Sequence, residues 1–173
     1  MDEIIRRIAC AVSLSLCLVQ ATAHPASNKI FNKNGLGNFK IGMSLDDINQ
    51  QLRHKIVLTP VDLRPTANCD YTNLQDLPGV AMLFVDERLL RIDVESKKIV
   101  YHGYIVVGMP KTVVAKKLRA FKEEAQDYIP DGVSFVVEDS TGPNAISFQF
   151  DDNKLSRMII GNKTAIRYAE ACL

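Results

Sequence analysis

Residues 80–94 read Val80-Ala-Met-Leu-Phe-Val-Asp-Glu-Arg-Leu-Leu-Arg-Ile-Asp-Val94. They return 66 positions later as Ile146-Ser-Phe-Gln-Phe-Asp-Asp-Asn-Lys-Leu-Ser-Arg-Met-Ile-Ile160. Val80, Met82 and Phe84 alternate with smaller or polar neighbours, as do Ile146, Phe148 and Phe150. Period-two alternation marks strands with one buried face. Each run meets a polar turn, Asp86-Glu87-Arg88 or Asp151-Asp152-Asn153-Lys154, and returns apolar at Leu89–Val94 or Leu155–Ile160, so each is a hairpin. The correspondence extends upstream without an insertion. Gly37, Gly42, Met43, Leu52 and Arg53 recur as Gly103, Gly108, Met109, Leu118 and Arg119, and Ile41 and Ile48 as Val107 and Val114. A period of this length signals two stacked copies of one supersecondary unit.

Ahead of each hairpin the sequence predicts a short strand, 39–42 or 105–108, and then a helix. Gly42 and Gly108 are placed where a positive φ is needed. Ser44 is a good N-cap, and Asp46 and Asp47 favour the positive end of the helix dipole. Leu45, Ile48 and Leu52 form the buried stripe of the first helix, and Val113, Val114, Leu118 and Phe121 that of the second, which Pro110 and Lys111 open. Further strands are expected near 67–72 and 133–138, with last strands near 99–101 and 165–169. The expected fold is α+β: two tandem repeats, 38–103 and 104–173, each a helix followed by a three- or four-stranded antiparallel sheet, in one compact domain. A helix covers one face of such a sheet and leaves the other free to bind.

Ile41-Gly42-Met43-Ser44 and Val107-Gly108-Met109-Pro110, each followed by a loop and a strand pair, resemble the repeat of the secreted β-lactamase inhibitory proteins. The pattern is similar also to the single-copy unit of the small outer-membrane assembly lipoproteins. The resemblance covers 39–96 and 105–162 and implies a tandem αβ fold whose concave sheet grips a protein. The inhibitor family carries a disulfide within each repeat, a pattern this chain lacks.

The first residues read as a processing segment. Arg6 and Arg7 precede an apolar-to-small run from Ile8 to Val19, and Ala21-Thr22-Ala23 supplies a small-x-small cleavage pattern, giving a signal peptide at 1–23. That run is too short to span a hydrocarbon core of about 30 Å. Leu14-Ser15-Leu16-Cys17 resembles a lipobox, with Leu16 where a small residue is wanted, so a soluble exported protein is expected over a lipoprotein. Residues 24–37 read as an N-terminal arm, the part from 24 to 36 loose enough to be unpacked. Cleavage removes Cys10 and Cys17 and leaves Cys69 and Cys172, which in an exported chain most simply pair. Such a bridge closes about 100 residues and is worth roughly 4–5 kcal/mol in the chain-entropy model.

Lysines and arginines number 21 against 20 acidic residues, so no global field favours nucleic acid or an anionic membrane. No second apolar run suggests a transmembrane anchor. No catalytic, cofactor or metal set is assigned. His24, His54 and His102 are scattered, with His54 expected to cap a helix end, and no nucleophile elbow, zinc helix or phosphate loop occurs. Asp151-Asp152-Asn153 reads as a hairpin turn over a calcium site, Lys111, Lys116, Lys117, Arg119 and Lys122 as a solvated helix face, and Asn162-Lys163-Thr164 as a turn over a glycosylation site. Arg91 and Arg157, at the same position in both copies, are the candidate partner-binding residues. The competing reading pairs them with carboxylates such as Asp93 or Glu95.

These readings lead to a periplasmic or secreted protein-binding module that inhibits or neutralises a partner: an immunity protein against an envelope-targeting effector or toxin, or an inhibitor of a hydrolase. The alternatives are an envelope assembly or scaffold factor, a small-ligand carrier and an enzyme of unrecognised type.

Overall fold

The computed structural model describes residues 30–126, 129–138, 140–169 and 171–172. The expected signal peptide at 1–23, with Cys17, and His24 fall outside the described residues. The chain begins with β1 (Ile30–Asn32), β2 (Gly35–Leu36), β3 (Phe39–Lys40) and α1 (Leu45–Gln51). Strands β4 (Cys69–Asn73), β5 (Val80–Val85), β6 (Arg88–Val94) and β7 (Val100–Tyr101) follow. Then come α2 (Lys111–Leu118), β8 (Lys122–Ala125), β9 (Val133–Glu138), β10 (Asn144–Asp151) and β11 (Lys154–Asn162).

The α+β expectation of two helix-plus-sheet repeats does not hold. Strands from both halves merge into one seven-stranded sheet, ordered β4-β5-β6-β11-β10-β9-β8, and β3-β2-β1-β7 make a second, four-stranded sheet. The molecule is mostly sheet. The two α-helices among the described residues have seven and eight residues, so each is only about 10–12 Å long at about 1.5 Å per residue. Seven strands spaced about 4.8 Å apart make a sheet nearly 30 Å wide. Short helices cannot cover that surface, and the small sheet completes the layer.

The two halves join through β6 and β11, antiparallel, with Ile92 opposite Ile160, Asp93 opposite Ile159 and Met158 opposite Val94. Pairing the inner strands removes two edges that would otherwise be open to other chains. Around this junction the same hydrogen bonds occur 66 residues apart. Gly42 N–H donates to Leu89 O and Gly108 N–H to Leu155 O, both at 2.7 Å, while Leu45 donates to Glu87 O and Lys111 to Asn153 O, both at 2.8 Å. Gly42 and Gly108 hold φ of 92° and 97°, values that penalise a side chain. Both hairpins turn on two residues with positive φ, Asp86 and Glu87 in one, Asp152 and Asn153 in the other, the twist that fits two-residue hairpins. Each hairpin also shifts register after the turn, at Leu83/Phe84 and at Gln149/Phe150. The extra residue, Leu90 or Ser156, lets Leu89 and Ile92 both face the core while Arg91 between them faces away.

One continuous core lies between the sheets and helices. Phe31, Leu36, Phe39, Ile48, Met82, Ile92, Val114, Phe148 and Ile160 are all fully buried. Tyr101 links the layers, its ring centroid 6.3 Å from Phe31 and 5.1 Å from Phe148. Residues 30–37 are therefore paired and packed rather than a loose arm, because Phe31 and Leu36 have a core to fill. Among the other expected elements, 165–169 is a 3-10 turn at Ala165–Arg167, and 105–108 makes only an isolated bridge from Ile105 to Tyr101. Val113, expected in the helix stripe, is exposed. Phe121 and Lys122, expected on the second helix, lie beyond its end at Leu118, and Lys122 opens β8, which pairs with β9 at the sheet edge, where its charges discourage further pairing.

Replacing Phe148 by Ala leaves a cavity between the two layers. It is expected to cost about 3–5 kcal/mol in chemical denaturation.

Candidate functional site

The sheet has an outer face, opposite the core. Arg91 lies there but is not an open docking residue: it and Asp93 are each 2% exposed. Its guanidinium forms a two-pronged pair with Asp93, Nε to Oδ1 and Nη2 to Oδ2, both 2.7 Å. Nη1 donates to the carbonyls of Ala165 at 3.0 Å and Tyr168 at 2.9 Å, and the Tyr71 hydroxyl donates to Asp93 at 2.8 Å. Burial alone lowers the guanidinium's proton affinity, but the bonds to Asp93 outweigh it and raise the pKa. Burial, then the Asp93 charge, also hold the Tyr71 phenol protonated well above its usual range. The segment that buries this cluster is the C-terminal one. Ile166 packs with Val136, Ala145 and Ile159, and Cys172 is bonded to Cys69 with a Cα separation of 5.7 Å.

Arg157 is 34% exposed and pairs with Glu95 at 2.6 Å. The two arginines are thus held in different surroundings. Opposite Arg91 stands Gly161, whose position a Cβ would bring within 2.6 Å of Leu90 O. Both arginines are engaged by carboxylates, so neither presents a free charge to a partner.

Register builds a polar row across the outer face. Glu124 lies opposite Ser134, Ser134 opposite Gln149, and Gln149 opposite Arg157; Glu95 extends the row through its ion pair. Beside it runs Val136–Ser147–Ile159. With Ile129, Ile166, Arg167 and Ala169 as walls, these rows enclose a groove of about 270 Å³. Arg167 is clamped to Glu124 at 2.8 Å and to Glu138 at 2.5 Å. Its hydrogen bonds, with help from Lys122, hold the Glu124 carboxyl down at about 2.

A second feature stands apart from the sheet. The loop from Ile56 to Arg64 exposes Val57 at 86%, Leu63 at 69% and Val61 at 58%. It is braced at every stage. Asn49 exchanges two hydrogen bonds with the Ile56 backbone, 2.7 and 3.0 Å. The Asp70 carboxylate accepts from the Thr59 N–H and hydroxyl, and Arg64 Nε donates to Thr59 O at 2.5 Å. A 3-10 turn, Val61–Leu63, forms the tip, and the disulfide at Cys69 follows the loop. At the root, Asp76 accepts the N–H groups of Arg53 at 2.7 Å and His54 at 3.1 Å. It also takes the His54 ring nitrogen, and that bond first, then the backbone donors, lowers its pKa to about 2. His54 therefore pairs with Asp76 rather than capping helix carbonyls, and His102 packs its ring edge-on to Tyr101. Neither lines the groove.

The sequence reading missed this loop. Ile56-Val57-Leu58 followed by Val61 and Leu63 has the composition of a core segment, and only Pro60 and Pro65 hint at an irregular path.

Substituting Asp93 by Ala strands a buried guanidinium and is expected to cost about 3–5 kcal/mol, whereas the apolar pair Arg91→Met with Asp93→Leu restores most of that loss in denaturation curves. Acid acts through Asp76 and Glu124. Both have folded-state values near 2, below the ordinary 3.8 and 4.5, so their contribution is complete above about pH 5 and drains away as pH falls towards 2. Asp76→Asn with Glu124→Gln should flatten melting temperature against pH across that window.

The sequence matches no family model and no curated protein. Among solved structures, the chain is similar to an extracellular protein containing a SCP domain from Bacillus anthracis, with TM-score 0.51 and 10% identity over 73% of this chain. The match spans 46% of that protein, under half its length. A DUF4309 family protein from Bacillus subtilis aligns with TM-score 0.49 and 14% identity over 74% of this chain and 84% of its own. At these identities the first likeness is one of fold alone.

Proposed function

We propose that this chain is an exported protein-binding module that neutralises or inhibits another protein by inserting the braced loop at 56–64 into an apolar cleft. The observation that carries this reading is the exposure of Val57, Val61 and Leu63 on a backbone already fixed by Asn49, Asp70, Arg64 and the nearby disulfide. Exposed aliphatic clusters mark interaction sites. A segment ordered before contact loses little conformational entropy on binding. Three aliphatic side chains offer far less than the roughly 800 Å² per partner that a stable dimer buries, and a convex tip suits a concave target better than a second copy of itself.

The export assignment rests on the signal-like pattern at 1–23, with the disulfide and the extracellular fold relative compatible with it. Among the described residues no helix is long and apolar enough to cross a membrane. The hydrogen bonds that recur 66 residues apart relate the two hairpins and the turns that precede them, and the loop lies ahead of the first hairpin. In this reading the sheet supplies rigidity and the loop supplies the contact, so binding occludes the partner's cleft.

Val61→Asp and Leu63→Asp each change an exposed side chain and should alter stability by less than about 0.5 kcal/mol. The wild-type protein is expected to be recovered from its native envelope in a stoichiometric complex with a hydrolase or toxin, and the double variant as a free monomer. A complex that survives both substitutions overturns the proposal, as does a wild-type protein that is itself free of any partner.

A further inference from the structure

The outer-face groove is built from different residues than the loop, and its chemistry is distinct. Its floor carries Ser134, Ser147 and Gln149, whose side chains both donate and accept hydrogen bonds, and Arg157, which donates only. Ser147 is 2% and Ser134 6% exposed, although both are polar and line this groove. Aliphatic groups from Val136, Ile129 and Ile166 separate the polar ones.

Charge narrows the class of ligand. The cations of the groove are already matched: Arg157 with Glu95 at 2.6 Å, Arg167 with Glu124 and Glu138 at 2.8 and 2.5 Å. An anion would have to displace a carboxylate from its guanidinium, and a cation would have to displace a guanidinium from its carboxylates. An uncharged ligand meets neither obstacle. Size narrows it further, since about 270 Å³ lies below the roughly 300–1,000 Å³ of sites for drug-sized ligands. Geometry completes the argument. The polar row crosses the strands at their spacing of about 4.8 Å, so hydrogen-bonding groups meet a ligand at intervals along the row. Strand β8 closes the sheet edge with Lys122, Glu123 and Glu124, which discourages entry of an extended peptide as an added strand.

We infer that the groove over β8–β11 is a binding site for a neutral sugar ring, either a free saccharide or one unit of a glycan strand, held by Ser134, Ser147, Gln149 and Arg157. Hydroxyl groups around a saccharide ring donate and accept at once, as Ser134, Ser147 and Gln149 do, and their oxygens can accept from Arg157. The ring's C–H faces fit the aliphatic patches from Val136 and Ile166. The ion pairs around Arg157 and Arg167 keep both guanidinium groups oriented.

The test is a titration of isotope-labelled full-length mature protein, followed by NMR, with glucose and N-acetylglucosamine, with their β-1,4-linked tetramers, and with glucuronate as an anionic control. Saturable shifts confined to residues 134–136, 147–149 and 157 are expected with the neutral sugars, with glucuronate at least fivefold weaker. A tetramer that binds more tightly than its monomer identifies a glycan strand as the source, and equal affinities identify the free sugar. Gln149→Ala, at a half-exposed position, should weaken binding at least fivefold while leaving the amide spectrum elsewhere unchanged. Ser147→Val should abolish it, the spectrum serving as the check on folding. Absence of saturable shifts with every neutral sugar, shifts located outside the groove, or tighter binding of glucuronate would each overturn the assignment. None of these outcomes bears on the loop, so the two readings fail separately.

Discussion

The antiparallel contact between β6 and β11 is the constraint on which the rest of the molecule depends. It sets Asp93 against Ile159 and Ile92 against Ile160. In doing so it fuses two hairpin units into one sheet, gives both a common core face, and places Arg91, Asp93, Arg157 and Gly161 together on the other. Without that contact each half would expose an apolar edge strand. With it, the edges of the seven-stranded sheet among the described residues are β4 and β8. The first is tied to the C-terminal segment through Cys69, and the second is charged.

Two arginines at matching positions show how a shared local rule gives unlike outcomes. The same bulge turns each away from the core. Their neighbours differ: Arg157 finds Glu95 across the strand, while Arg91 faces Gly161 and takes Asp93 from its own strand. Ile159 stands where Asp93 has its counterpart, and beside it the C-terminal segment seats Ile166. An apolar plug on one side and a two-pronged ion pair on the other let that segment lie across the outer face. The disulfide then fixes its end. What remains open is the part over β8–β11, and it forms the groove.

In the proposed reading the loop at 56–64 supplies the contact and the sheet supplies the support. Asp70 is the hinge of that division. Its carboxylate lies on the first residues of β4, behind the disulfide, and reaches back to hold Thr59. Exposed aliphatic residues on an unbraced segment would collapse onto the nearest apolar surface. Here Ile56 and Leu58 anchor the segment in the core, and the bonds to Asn49 and Asp70 hold its backbone while Val57, Val61 and Leu63 stay exposed.

Periodicity and turn chemistry made the hairpins legible in the sequence. So were Gly42 and Gly108, the Ser44 cap, the strands at 69–73 and 133–138, and the pairing of Cys69 with Cys172. These are local matters, decided by backbone sterics, side-chain alternation or the scarcity of alternatives. Sheet membership was not legible, because strand order depends on which apolar face meets which, and β6 and β11 read alike whether they pair or stand apart. Strands were expected at 39–42 and 99–101, but the small sheet they belong to was missed because β1 and β2, of three and two residues, leave no periodic trace. Exposure was the hardest to read. Val57, Val61 and Leu63 have the letters of a core, and Arg91 has the letter of a surface. The sequence by itself determined the units, their turns and their covalent tie. Only the tertiary structure decided which side chains are buried, because burial is set by the neighbours that distant segments bring, and no short stretch of chain encodes them.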